Sequence, residues 1–254
     1  MTGHIRDSET GLTYATHRYY NSDLGIWLSV DPWAKKFPSV SGYAYVFNNP
    51  INFIDPDGRA AFYSRNGRFI GVDADGFQGN IYIMTYTGMV GMQDANLSSR
   101  AYARIYTDVL TQGGFDVSPL HNSSVSVMNN NDTYNDPNTG TPFLRHTVDT
   151  KNDRTTVTVN QASPNTNLLT TVENIQNALG AHELEGHGEF GYGNRTNTHH
   201  KVYEHQIRHP TWRNTTRGFK DAMLNNYRHY IRREVRGGER SHQYRVAREI
   251  QENL

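Results

Sequence analysis

Leu168-Leu169-Thr170-Thr171-Val172-Glu173-Asn174-Ile175-Gln176-Asn177-Ala178-Leu179-Gly180-Ala181-His182-Glu183-Leu184-Glu185-Gly186-His187 is the stretch on which the reading of this chain turns. Leu168, Leu169, Val172, Ile175, Ala178, Leu179 and Leu184 recur near helical period, so residues 165 to 187 are predicted to form a helix, capped by Asn165 or Thr166 after Pro164. Its end carries a His-Glu pair and then a second His. The helical pattern His-Glu-x-x-His presents two imidazoles to zinc, with the Glu as base. Here the histidines stand five apart, and at about 100° per residue a regular α-helix would splay them by about 140°. A π-type widening near Gly186 would return both to one face.

A catalytic zinc site takes about three protein ligands. The chain has no cysteine, so any further ligand must be His, Asp or Glu. Residues 198 to 209 predict a short helix ended by Pro210, on which His200 and Glu204 share one face and His205 and His209 another. His182, His187 and Glu204 are the favoured ligands. His200 is the alternative third ligand, or a hydrogen-bond partner behind the ligands. Glu183 is the candidate proton acceptor, and Tyr203, Tyr192 and His205 are candidates for stabilising an oxyanion. Glu185 and Glu189 read as solvated, or as hydrogen-bond partners behind the ligands. Gly186, Gly188, Gly191 and Gly193 let the chain turn around the site.

The spelling H-E-x-x-G-H resembles the zinc motif of dipeptidyl peptidase III, over six residues. That resemblance implies a zincin-like metallopeptidase: zinc-dependent hydrolysis of a protein or peptide substrate, with the two histidines as ligands and Glu183 activating water. The β-branched run Thr155-Thr156-Val157-Thr158-Val159 predicts a strand just before the helix, whose edge would hold an extended peptide.

Residues 1 to 59 have another texture, short aromatic runs between Gly, Pro, Asn and Asp turns. Arg6-Asp7-Ser8-Glu9-Thr10-Gly11-Leu12, His17-Arg18-Tyr19-Tyr20, Gly25-Ile26-Trp27-Leu28-Ser29-Val30-Asp31-Pro32, Tyr43-Ala44-Tyr45 and the passage from Asn48-Asn49-Pro50 to Asp55-Pro56-Asp57-Gly58-Arg59 occur in order. Together they resemble the end of an Rhs repeat-associated core. The resemblance implies a β-shell closed by this segment, then a polymorphic toxin domain. It further implies a secreted effector of interbacterial competition, delivered without a classical signal peptide, and a cognate immunity protein. Self-cleavage would use Asp55 and Asp57, although Arg59 stands where cleaving members carry an apolar residue.

Between these segments, Ala61–Ser64, Arg68–Val72 and Asn80–Met84 predict strands, the first two joined at Arg65-Asn66-Gly67, and Leu97–Thr111 predicts a helix ended by Gly113-Gly114. Residues 129 to 141 read as a loop in which Asp132, Asp136 and Asn138 miss the EF-hand spacing for calcium. The chain is therefore expected to be α+β: Rhs-core end over 1–59, linking β segment over 60–95, toxin domain over 96–254. Apolar runs of a few residues fall far short of the about 20 needed to cross a bilayer.

Net charge is zero but unevenly spread, since residues 195–254 hold 13 Lys and Arg against 6 Asp and Glu, a net +7. Eight of the twelve histidines lie between His182 and His242, which concentrates metal-binding capacity in the same half. Two other readings stand beside the peptidase. His199-His200 in a basic segment resembles the core of HNH-like nuclease toxins, with one His activating water and others holding a divalent metal at phosphate. A noncatalytic binding domain with a structural His cluster is the third. Trp212, Phe219, Met223, Leu224 and Tyr227 predict a core-packing helix in every case, and the tail from Ile231 a charged one.

Overall fold

The computed structural model describes residues 5–15, 18–30, 41, 43, 60–72, 76–86, 88–128, 144–149, 154–161, 163–193 and 198–252. Asp31, Asp55, Asp57, Arg59, Asp132, Asp136 and Asn138 lie outside them. The architecture is α+β, divided into two compact units, Met1–Leu97 and Ser98–Leu254.

In the first unit, β1 (Ile5–Arg6), β2 (Thr13–Ala15), β3 (Arg18–Asn21) and β4 (Ile26–Trp27) form an antiparallel meander. Tyr14 packs on Tyr19 and Tyr20 on Trp27, so cross-strand aromatic pairs hold these very short strands. A second sheet orders its strands β6-β5-β7-β8, from β5 (Ala60–Ser64), β6 (Phe69–Val72), β7 (Asn80–Thr85) and β8 (Gly88–Gly91). The turn predicted at Arg65-Asn66-Gly67 closes the antiparallel β5–β6 pair, with Gly67 at φ +76°.

The second unit opens with α1 (Ser99–Gln112), whose N-cap Ser98 accepts a hydrogen bond from the Ala101 N–H. Its buried stripe is Ala101, Ile105, Tyr106, Val109 and Leu110, and Gly113-Gly114 follows as expected. Strands β9 (Ser126–Met128), β10 (Leu144–Asp149) and β11 (Arg154–Asn160) make a three-stranded sheet with β11 in the middle. This corrects the role expected of the strand before the site. β11 pairs along its length with β10, and its other side is taken by β9 and by Leu120, so it offers no open edge to an extended peptide.

The predicted helix from Asn165 is divided. A 3₁₀ turn spans Pro164–Leu168, the chain leaves helical geometry at Leu169 (ψ 54°), and α2 (Val172–Ile175) then runs into a π-wound helix, Gln176–Glu189. The cap is Thr171, not Asn165 or Thr166: its hydroxyl accepts the Asn174 N–H at 3.2 Å. Hydroxyl and amide side chains that satisfy backbone groups locally compete with helix propagation at such a break. The stripe is otherwise as expected, with Leu169, Val172, Ile175, Ala178 and Leu179 buried.

Behind the π-wound helix lie α3 (His199–Arg208), a 3₁₀ turn Pro210–Asn214, α4 (Arg217–Glu234) and α5 (Gly237–Glu252). Phe219, Met223, Leu224, Tyr227 and Ile231 form the buried face of α4, each side chain contributing about 1.5–3 kcal/mol by burial. α3 is sandwiched between the π-wound helix and α4. Among the described residues no helix is long and apolar enough to cross a membrane.

Candidate metal centre

The extra residue between His182 and His187 is absorbed by winding rather than by a local bulge. The helix is π-wound over Gln176–Glu189, and at its end the Phe190 N–H donates to the Glu185 carbonyl, five residues back, at 2.8 Å. With i→i+5 bonding, residues five apart fall near one line. The two imidazoles accordingly face each other with ring centroids 5.2 Å apart. Gly186 serves close packing more than backbone freedom, since a Cβ there would lie 2.7 Å from Val202 Cγ1 on α3.

His199 completes the group. One ligand-capable atom from each of His182, His187 and His199 lies within 4.8 Å of the others, the one such cluster among the described residues. The phase of α3 explains this choice. His199, Tyr203 and Gln206, at i, i+4 and i+7, form the face turned to the π-wound helix, and all three meet His182. His200 and Glu204 lie one position on, about 100° around the helix, and are engaged elsewhere. The backbone N–H and Nδ1 of His200 reach Glu234 Oε2 at 2.8 and 2.9 Å, and Glu204 pairs with Arg208 at 2.7 Å. The structure thus brings His182 and His187 together with His199, and neither Glu204 nor His200 joins them.

Each imidazole is oriented by a partner. His187 Nδ1–H donates to the Tyr192 carbonyl at 2.7 Å, leaving Nε2 for the centre. His182 Nδ1 is 2.8 Å from Gln206 Oε1. His199 stacks on Tyr230 of α4 at a centroid distance of 4.2 Å. Of the other predicted residues, Tyr203 is buried edge-on to His182 at 4.6 Å, whereas His205 pairs with Glu185 at 2.7 Å and the Tyr192 ring stacks on Phe190.

Gly193 sits against His187 in a left-handed conformation, φ +75°, where a Cβ would come within 2.5 Å of His187 Cε1. Gly193→Ala is expected to displace that ring and to cost about 1–3 kcal/mol through strain and overpacking. Chelator competition and urea unfolding would show it as weaker metal binding together with a lower midpoint.

Glu183 is 2% exposed, its Oε1 lies 4.0 Å from His182 Nε2, and its Oε2 has no hydrogen-bond partner among the described residues. Burial pushes this carboxyl up to about 8. Burial, then the neighbouring imidazoles His187 and His199, holds His182 well below the usual imidazole range, and burial followed by His187 and His200 takes His199 down to about 3. His187 is lowered too, chiefly by burial. The linkage signs oppose each other. Below about 6.5 the unfolded chain binds protons that the folded histidines refuse, so stability falls with falling pH. Between 4.5 and about 8 the folded Glu183 binds a proton that the unfolded one releases, so stability falls with rising pH. Three histidines outweigh one carboxyl on the acid side. Urea unfolding of the metal-free chain should therefore show these groups' stabilisation peaking near pH about 6.5–7.

No family model and no solved structure matches the chain. Over 74 residues it is 39% identical to the tRNA nuclease WapA of Bacillus subtilis, covering 28% of this chain and 3% of that protein. Over 108 residues it is 34% identical to the probable deoxyribonuclease RhsA of Dickeya dadantii, covering 41% and 7%. Over 59 residues it is 46% identical to the toxin subunit YenC2 of Yersinia entomophaga, covering 23% and 6%. The chain spans at most 7% of the length of these relatives. The expectation of a peptide-bond hydrolase is overturned here, because the relatives whose names state an activity are nucleases. The kinship found is thus with Rhs-type toxin proteins, and not with zincin peptidases.

Proposed function

We propose that this chain carries the effector part of an Rhs-type toxin, a metal-dependent nuclease that hydrolyses phosphodiester bonds in nucleic acid of a target cell. The observation that carries the reading is the convergence of His182, His187 and His199 beside the buried, unpartnered oxygen of Glu183. The donor set fits Zn²⁺: three imidazoles, two of them oriented by an outer partner at Nδ1, and no cationic side chain among them. A bound divalent cation supplies Lewis acidity at a phosphoryl oxygen and lowers the pKa of water to about 7.

The protein's own groups do the rest. Burial keeps the Glu183 carboxyl protonated in the metal-free chain. Beside a dication held by the three imidazoles its carboxylate form is favoured, and that carboxylate takes the proton of the attacking water and returns it to the leaving oxygen. The Tyr203 phenol is held protonated, because burial, then Tyr230 and Glu183, pushes it well above its usual range. A side-chain hydrogen bond with Asn226 works in the opposite sense, and the protonated phenol is the donor this reading offers to a phosphate oxygen.

Charge at the start of α3, on the His200 face, suits a polyanion. A cavity of about 460 Å³ opens beside the start of α3, lined in part by Lys201, Arg233 and Arg236. The one carboxylate in its lining, Glu234, is turned onto His200 at 2.8–2.9 Å. Three cations there give backbone phosphates a sequence-independent hold that weakens with salt. Delivery from bacteria, the rest of an Rhs shell and a cognate immunity protein accompany this reading through the kinship with Rhs-type toxins. Incubating the zinc-loaded chain with tRNA and with DNA tests it, strand cleavage that a chelator abolishes being the expected result.

A further inference from the structure

The hydrogen bonds behind His182 run in one direction only, and that direction can be read from a backbone carbonyl. Asn177, fully buried on the π-wound helix, places its Nδ2 3.0 Å from the Gln206 main-chain oxygen and 2.9 Å from Thr211 Oγ1. A carbonyl oxygen only accepts, so the end of the Asn177 amide facing it must be the NH₂ group. The other end, Oδ1, then faces the Gln206 side chain and accepts from Nε2 at 3.0 Å. That leaves Gln206 Oε1, also an acceptor only, against His182 Nδ1 at 2.8 Å. Its partner must donate. Asn177, Gln206 and His182 are all buried, the first two at 0% exposed, so reversing any one link would set acceptor against acceptor or NH against NH without water to relieve it.

We infer that Asn177 and Gln206 are positioning residues that lock His182 as its Nδ1–H tautomer, so that the bare Nε2 is presented to the cluster with His187 and His199. The metal-ligand part of this inference rests on the proposed metal centre, whereas the tautomer is a property of the metal-free chain. Orientation from behind is what distinguishes a prepared imidazole ligand from a merely buried one, and outer partners of this kind are worth about 10- to 100-fold in metal affinity.

The test uses the full chain without metal and then with Zn²⁺ alone. Long-range ¹H–¹⁵N correlation spectra of the chelated protein, with His182 assigned by His182→Ala, should show the Nδ1–H form in the wild type. In Gln206→Leu the population should move toward Nε2–H. Chelator competition should then give a Zn²⁺ affinity lower by about 10- to 100-fold in Gln206→Leu. Gln206→Glu, as a buried carboxylic acid whose O–H donates to Asn177 Oδ1 while its other oxygen accepts from His182 Nδ1–H, should recover most of it. An Nε2–H imidazole at His182 in the wild type would overturn the inference, even if Gln206→Leu did not fold. So would a folded Gln206→Leu that binds Zn²⁺ as tightly as wild type. Failure of the wild type to bind Zn²⁺ at all would instead remove the metal centre, while the tautomer measurement would still decide the lock.

Discussion

His199→Ala is expected to weaken Zn²⁺ binding by more than the about 10- to 100-fold that follows loss of an outer hydrogen-bond partner, because it removes one of three converging ligand atoms. Chelator competition on the purified chain measures this directly. Two neighbouring substitutions give the contrast. Glu204→Ala removes only a part-exposed i,i+4 pair with Arg208, worth about 0.3–0.5 kcal/mol, and should leave affinity as it is. His200→Ala breaks the part-buried hydrogen bond between α3 and Glu234 and should cost about 1–3 kcal/mol of stability without removing a ligand. If Glu204→Ala abolishes binding and His199→Ala spares it, the cluster is assembled from the wrong face of α3.

Glu183→Gln separates holding the metal from using it. The amide keeps the shape of the carboxyl and lies outside the three imidazoles, so metal content should be unchanged. Cleavage of nucleic acid should fall by about 10²–10⁴-fold, the usual worth of a positioned base. Stability supplies an independent sign. The buried carboxyl, pushed up to about 8, penalises the folded state increasingly as pH rises through that value, and glutamine carries no such penalty. The metal-free variant should therefore gain on the wild type as pH rises from 4.5 toward 8 in urea unfolding. Undiminished cleavage by Glu183→Gln would remove the residue from the chemistry.

Much of this was legible in the residues, and the failures have physical causes. The amphipathic stripes of α1 and α4, the β5–β6 turn and the short aromatic strands follow from period and turn chemistry alone. The five-residue spacing of His182 and His187 called for π-type winding, which the helix adopts over Gln176–Glu189 instead of at one bulge. What sequence spacing left open was the phase of α3. His200 and Glu204 are as well spaced as His199, Tyr203 and Gln206, and only the tertiary partners decide, Glu234 and Arg208 on one face and His182 on the other. A signal existed in Val202, which belongs to the inward side beside Gly186 and brings His199 and Tyr203 with it. The helix start was misplaced because the chain leaves helical geometry at Leu169 and restarts at Thr171, whose hydroxyl accepts the Asn174 N–H, and cap preference does not rank Thr171 above Asn165. The peptidase expectation leaned on a six-residue motif, and such a motif describes a way of holding metal rather than the bond that is cut.

One assay bears on the whole account: the zinc-loaded chain incubated with tRNA, plasmid DNA and single-stranded DNA, with and without chelator, beside Glu183→Gln. The expected result is cleavage of at least one of these nucleic acids, lost with chelator, restored by Zn²⁺ and depressed in the variant. If all three stay intact at full metal occupancy, or are cut equally well by chelated protein, the chain is not a metal-dependent nuclease.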